Sequence, residues 1–290
     1  MRCDWVFSRD LYITQQYPSA ARELMRRAFG QWPITLREDP VLTANPEVSF
    51  IIGHRGMARL PNLLATLRSI AGQRDVAVEC IVVEQSAERE VEGLLPSWVR
   101  YVHTPVSPGV DYCRSATFNV GVEVSRGAVL IAHDNDMLVP ERWALEVLAR
   151  AREGWHFIDP KRFIFYLSEE DSAEIFRGRA IPMTGTSIVV ENLKGGSVAA
   201  TPDAYRAIGG FDEDFVGWGG EDLEFWERAR AHGGVYEFGY LPLIHLWHAP
   251  QPGKVNQAAA PAMLRYDEVS RMAPEERIAL LRSRNFSNVK

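Results

Sequence analysis

"AVLIAHDND", residues 128–136, is the stretch on which the reading of the fold turns. An apolar run, Ala128 to Ala132, ends in a histidine and two aspartates that straddle one asparagine. The apolar part reads as a buried strand. Two carboxylates this close repel each other and resist losing water, so a strand end gains nothing from them by itself. The expectation is that something outside the chain neutralises them.

Outward from this strand, the chain alternates strand and helix. "VSFIIG", starting at Val48, reads as a buried strand. "LPNLLATLRSIAGQ" follows as a helix, with Pro61 near its start and Leu60, Leu63, Leu64, Leu67 and Ile70 on one face. "VECIVVEQS" is a second strand, "VRYVHT" a short third, and "YCRSATFNVGVEVSRG" a helix leading into the fourth strand at Ala128. This alternation predicts an α/β fold with a Rossmann-like, mostly parallel sheet flanked by helices on both faces. Ligands of such sheets bind beyond the carboxyl ends of the strands. Glu84, Gln85 and Ser86 lie at one such end, and His133 to Asp136 at another.

After Pro140 the rhythm becomes mixed: a helix at "ERWALEVLARAREG", an irregular middle from His156 to Val190, and a final strand-like run "VYEFGYLPLIHLWH". The division expected is an arm and linker over 1–46, a sheet half over 47–139, a merged, smaller mixed half over 140–256 and a tail over 257–290. Within the arm, "PSAARELMRRAFG" reads as a helix with Ala21, Leu24, Met25 and Ala28 on one face and a glycine stop. Its apolar periodicity hints at a homodimer contact.

Composition narrows the class. The 290 residues are 46% hydrophobic and 24% charged, as in an ordinary globular chain with a substantial core. A net charge of −6 argues against a nucleic-acid footprint or a basic membrane patch, both of which need clustered Lys and Arg. Cys3, Cys80 and Cys113 are odd in number and lack metal-type spacing, so they read as reduced thiols. No signal peptide and no run near the roughly 20 apolar residues of a membrane span is visible. A cytoplasmic protein with no transmembrane segment is expected.

Three runs carry chemistry. Asp134 and Asp136 suit a hard divalent cation, Mg²⁺ or Mn²⁺, which commonly completes its shell with substrate phosphates; a strand-end turn closed on its own backbone is the other reading. In "GFDEDFVGWGGEDLEFWERARAHGG", a helix starting near Glu221 puts Asp222, Phe225, Trp226 and Ala229 on one face and Glu221, Glu224 and Arg228 on another. Acids in a first turn complement the helix dipole, which explains either carboxylate but not an inward Asp222 behind Gly217, Gly219 and Gly220. Trp218 offers a flat surface on which a sugar stacks. In "HLWHAPQPGKVN", His248 or His245 would add an imidazole to the ion of the aspartates and favour Mn²⁺, or would simply be a satisfied histidine beside a strand.

Together these runs resemble the metal-dependent nucleotide-sugar glycosyltransferases of the GT-A fold. "HDND" is similar to that family's DxD element, and "GGFDEDFVGWGGEDLEFWERARAHGG" resembles the C-terminal motif of bacterial chondroitin polymerases and β-1,4-galactosyltransferases. The resemblance covers about Val48 to Asn256. It implies a nucleotide-binding half before Pro140 and a donor-sugar and acceptor half after it. It implies Asp136 as principal metal ligand, Asp134 toward ribose or metal, His248 as a further ligand and Asp222 as catalytic base, with Glu221 as the alternative base. It also implies that Glu84 and Ser86 stand at the base or ribose, although "VVEQS" departs from the commoner "VVDDGS". Arg114 and Asn119 are implied in the helix near the nucleotide, and Gly195 and Gly196 beside the donor sugar. The activity implied is transfer of a sugar, from a UDP-hexose or UDP-N-acetylhexosamine, to an acceptor hydroxyl with inversion, a retaining transferase of the same fold being the alternative because the polypeptide N-acetylgalactosaminyltransferases share the "WGGE" piece. A sugar-phosphate nucleotidyltransferase would need a better phosphate loop than "IIGHRGMARLPN", and a sugar-binding module would not need "DND" together with Asp222.

Overall fold

The apolar runs become strands close to their expected limits. The structure is a computed structural model that describes residues 8–42, 45–184, 188–217, 219–250 and 260–284. Its first part holds β1 (Arg9–Asp10), α1 (Tyr12–Gln16), α2 (Pro18–Gln31), β2 (Val48–His54), α3 (Leu60–Ala71), β3 (Val78–Ser86), β4 (Arg100–Pro105), α4 (Arg114–Val124) and β5 (Val129–His133). There follow β6 (Met137–Leu138), α5 (Trp143–Arg152), β7 (Phe157–Ile158), β8 (Lys161–Tyr166), α6 (Glu169–Phe176), β9 (Val189–Glu191) and β10 (Ser197–Ala200). The last part holds α7 (Pro202–Ala207), α8 (Glu221–His232), β11 (Val235–Tyr236), β12 (Leu241–His245), α9 (Pro261–Val269) and α10 (Pro274–Ser283).

Two sheets flanked by helices form a mixed α/β architecture of the GT-A type. The larger has the order β11-β7-β10-β5-β2-β3-β4, and its β5-β2-β3-β4 portion is parallel, as the near-continuous apolar strands predict. All seven residues of β2 are buried. Leu63, Leu67 and Ile70 of α3 are fully buried against the sheet, while Leu60 and Leu64 are only partly covered. From β2 the chain proceeds to β3 and β4 on one side and returns to form β5 on the other. The crevice beyond the ends of β2 and β5 is thus a topological switch point, where ligands of open α/β sheets bind.

The second sheet, β1-β9-β8-β12-β6, completes that crevice. β6 begins directly after Asp136 and pairs antiparallel with β12, with His245 opposite Met137. One short ladder thereby brings the end of "LPLIH" to the end of "HDND".

Four expectations change. The described residues between His156 and Val190 include β7, β8, α6 and the start of β9; short strands of mixed burial, broken at Asp159 and Pro160, give no clean period of two. The strand-like run after Gly234 divides between the sheets, β11 joining the larger and β12 the smaller. Gly30 lies inside α2, which continues to Gln31. The described part of the N-terminal arm is built into the molecule: β1 pairs with β9, and Met25 and Phe29 of α2 pack with Phe165 and Ile244.

The expected outward face of α8 is also revised. Phe225, Trp226 and Ala229 are buried as predicted, with Phe225 stacked on Phe211 at 4.4 Å, but Glu224 and Arg228 are buried too. The tail accounts for it, because α10 covers that face and Arg277 reaches Glu224 and Glu227. Arg228 forks onto both oxygens of Glu224 and caps the end of α7 through the carbonyls of Ile208 and Gly210. Breaking a buried pair on one side strands the other charge, so Arg228→Met should lower the unfolding free energy by about 3–5 kcal/mol in a denaturant titration. A loss under about 1 kcal/mol would mean that Glu224 finds equivalent partners.

Candidate active site

The residues around "HDND" show why it has its form. His133 is fully buried, stands edge-on to Phe50, and bonds through Nε2 to the Met137 carbonyl at 3.1 Å, so it spans the turn from the residue before the aspartates to the residue after. Burial pushes its pKa down to about 4, which keeps it a neutral structural clip. Asn135 turns inward and donates to His54 Nδ1 of β2 at 2.9 Å. The backbone is held on both flanks, with Asp134 N donating to the Gly196 carbonyl and Leu246 N to that of Asp136. The two aspartates are left on the crevice side.

Asp136 is the more enclosed. Its Oδ2 accepts from Arg59 at 2.7 Å and lies 3.4 Å from His248 Nε2 and 3.9 Å from His245 Nε2. Burial alone would raise its pKa, but the charges of His245, Arg59 and His248 outweigh burial and hold it below the usual carboxylate value. Oδ1 is buried with no hydrogen-bond partner among the described residues. Asp136, His245 and His248 offer ligand atoms all within 4.8 Å of one another, a possible metal site. The donor set fits a divalent cation. His248 Nδ1 bonds to the Ala249 carbonyl at 2.8 Å, which leaves Nε2 to carry the lone pair, and that nitrogen faces a carboxylate. A proton on that nitrogen, or a metal ion between it and the carboxylate, would satisfy both groups.

The other face of the crevice is organised by Arg114, the first residue of α4. Its Nε donates to Asp134 at 2.7 Å, and its Nη1 to Asp222 at 2.9 Å and Glu221 at 3.2 Å. Phe118 lies flat beneath the guanidinium at 4.6 Å, and Nη2 is buried without a hydrogen-bond partner among the described residues. The aspartates are therefore neutralised in part by the chain's own arginines, where the sequence suggested only an outside partner. The neutralisation is incomplete. Among the described residues, the carboxylates of Asp134, Asp136, Glu221 and Asp222 meet only two guanidiniums, those of Arg59 and Arg114. Burial, with the charge of Asp222, accordingly pushes Glu221 up to about 7, and burial also raises Asp134.

Asp222 sits at the start of α8, side by side with Gly195. A Cβ on Gly195 would come within 2.3 Å of Asp222 Oδ2, and Gly196 has φ +84°, so both positions of the expected glycine pair have a physical reason. Glu84 and Asn119 have other employment. Glu84 is fully buried and accepts from the amides of Glu90 and Val91 and from Tyr101, while Asn119 bonds Tyr205, Phe211 and Glu213. Ser86 donates to the Glu88 carbonyl. Trp218 lies outside the described residues. Arg59, which pairs with Asp136, was not singled out from the sequence, although "GHRGMARLPN" after the first strand was the signal; Trp247 is 37% exposed between the two histidines.

An α/β chain with an acidic, histidine-bearing crevice at a switch point is the class this geometry defines, and comparison with known proteins agrees. A family described as the N-terminal domain of galactosyltransferase matches residues 178–241. Chondroitin sulfate N-acetylgalactosaminyltransferase 1 of Mus musculus is 25% identical over 248 residues, 78% of this chain and 45% of that protein. Hyaluronan synthase of Pasteurella multocida is 24% identical over 236 residues, 67% of this chain and 24% of that one. A validoxylamine A glucosyltransferase of Streptomyces hygroscopicus subsp. jinggangensis is 69% identical over 26 residues, 9% of this chain and 6% of the relative. The chain spans less than half the length of each. These matches and the two-sheet architecture support a GT-A glycosyltransferase. No helix among the described residues is long and apolar enough to cross a membrane.

Two outcomes follow from the charges. Glu221 has a folded pKa of about 7 against an ordinary value of 4.5, so between these limits the folded state holds more protons and its stability contribution falls as pH rises. In metal-free buffer, the stability of Glu221→Gln relative to the native chain should rise by up to about 1.4 kcal/mol per pH unit across this window and level off above it. A flat difference would mean that Glu221 is ionised throughout. His245→Ala and His248→Ala should each weaken Mn²⁺ binding by on the order of tenfold or more in calorimetry; unchanged affinity in both would remove the imidazoles from the site.

Proposed function

We propose that the chain is a metal-dependent, inverting glycosyltransferase that takes a sugar from a nucleoside diphosphate donor, a UDP-hexose or UDP-N-acetylhexosamine, and delivers it to an acceptor hydroxyl. The observation that carries this reading is the Asp136–His245–His248 cluster beside Asp134 at the switch point, with Asp222 facing the same crevice through Arg114. Imidazole in the donor set favours Mn²⁺ over Mg²⁺. Such an ion would spread the negative charge that develops on the departing diphosphate.

The chain's own residues do the rest in this reading. Arg59 and Arg114 exchange carboxylate partners for phosphate oxygens, to which a guanidinium is well matched. Asp134 orients the donor. Asp222, once released by Arg114, accepts the proton of the acceptor hydroxyl as that oxygen bonds to the anomeric carbon and the diphosphate leaves from the opposite face. Glu221, pushed up to about 7 and so about half ionised at neutral pH, is the alternative base. The acceptor is a glycan end or a small natural product, since the relatives' names span both, and the half-exposed Trp247 offers a stacking face. The reading includes a cytoplasmic setting, in which the buried thiols Cys80 and Cys113 stay reduced, and a homodimer through the exposed Tyr12, Ile13 and Tyr17.

Asp222→Asn keeps shape and loses the base. Turnover should fall by on the order of 10²–10⁴-fold with donor binding nearly intact, and NMR of the native enzyme's product should show the inverted anomer. Near-normal turnover in the variant, or a retained anomer, would contradict the assignment.

A further inference from the structure

The 194–197 turn is the strip of backbone that touches both chemical partners of the crevice. The Gly196 carbonyl holds the Asp134 amide at 2.9 Å, and Gly195 lies against the Asp222 carboxylate. Glycines allow that approach, and positions 195 and 196 bring no side chain of their own to anchor the turn. Its anchorage comes from behind. Lys161, at the start of β8, has a side chain with no exposed surface, and its ammonium donates to the Ser197 carbonyl at 2.9 Å, to Asp159 at 2.7 Å and to the Lys194 carbonyl at 3.5 Å. From α8, Trp226 Nε1 donates to the same Lys194 carbonyl at 3.0 Å. Lys194 is tied in as well, to Glu237 at 2.6 Å and to Asp159 at 3.5 Å.

Resting on the functional reading above, we propose that Lys161 is a positioning residue for sugar transfer: its buried ammonium, seconded by Trp226, fixes the Lys194–Ser197 turn and with it the separation of Asp134 from Asp222. The argument is physical. A fully buried ammonium costs several kcal/mol in lost hydration unless all its hydrogens are bonded, and an apolar side chain would fill this space more cheaply. Here its hydrogens go to one carboxylate and to two carbonyls at the ends of the glycine pair. Satisfied buried networks of this kind rigidify what they touch. Lys161 also stands where the sheets meet, since β8 belongs to the smaller and Ser197 opens β10 of the larger. The hydrogen bonds of Lys161 go to Asp159, Lys194 and Ser197, whereas Arg59 and His248 meet Asp136. Loss of the pin should therefore disturb the alignment of base and donor more than the hold on the diphosphate, and a misplacement of about 1 Å can cost on the order of 10²-fold in rate.

The test uses Lys161→Met and the gentler Trp226→Phe on the full chain, with two readouts. Hydrogen exchange should speed up at the Asp134 amide and across residues 195–197 while the amides of β2 and β3 keep their protection. Steady-state kinetics with the active UDP-sugar should show kcat falling by on the order of tenfold or more, with KM for the donor within about threefold of the native value. If Lys161→Met does not fold, Trp226→Phe carries both readouts, with a smaller fall in kcat expected. Unchanged exchange at Asp134 and the turn, or kcat within about twofold of native in a cooperatively melting variant, overturns the proposal. A native chain that transfers sugar from no donor would overturn the functional reading instead, and the exchange data would still report on the pin.

Discussion

Arg114 is the cation through which the two faces of the crevice are joined. It comes from the first turn of α4, lies on Phe118, and spends Nε on Asp134 from the end of β5 and Nη1 on Glu221 and Asp222 from the start of α8. Without it, three carboxylates from two distant parts of the chain would face one another with nothing between them, and their repulsion would open the crevice. With it the charge is still not balanced, which is why Glu221 sits near neutral pH and why the site is suited to a further cation. The same guanidinium engages the proposed base when no donor is present. In the proposed function, donor binding and release of the base would be two sides of one exchange of partners.

The fold delivers these groups by short, local means. The β6–β12 ladder is two residue pairs long, yet it brings the His245–His248 segment to Asp136. Histidine and asparagine in "HDND" serve the backbone, one bridging the turn and the other bonding β2, so that only the aspartates face the crevice. Behind α8, the tail helices cover Glu224 and Arg228 and turn a helix with one apolar face into a buried one. The Asp222 end of α8 is thus held by its own packing, by Arg114 and by the turn at Gly195.

Much of this was legible in the sequence, for reasons that can be stated. The parallel strands are apolar along their length and carry acids at their ends, so the parallel half of the fold and the crevice beyond its strand ends could be read directly, although one of those acids, Glu84, is bonded within the fold. The aspartate pair stood out at the strand end and Asp222 on the apolar side of its helix, while the choice of Asp136 over Asp134 came from the family resemblance. Arg59 was harder, because a single arginine in a loop has no period, and only the β2–β5 switch point makes it a site residue. His245 against His248 could not be separated by spacing alone; both meet Asp136. Glu224 and Arg228 misled because their cover comes from α10, some fifty residues later in the chain. Glu84 and Asn119 sit near the expected place, but their bonds to loop amides and carbonyls depend on tertiary contacts that no local pattern encodes.

The central claim is that Asp136 and its histidines hold a metal and through it a nucleoside diphosphate. Thermal unfolding of the native chain and of Asp136→Ala with UDP, each with and without Mn²⁺, tests it most directly. The account predicts stabilisation of the native chain by UDP only when Mn²⁺ is present, worth about 2.7 kcal/mol at a hundredfold excess over Kd, and none in the variant. Stabilisation by UDP that ignores Mn²⁺, or that survives loss of Asp136, would contradict it.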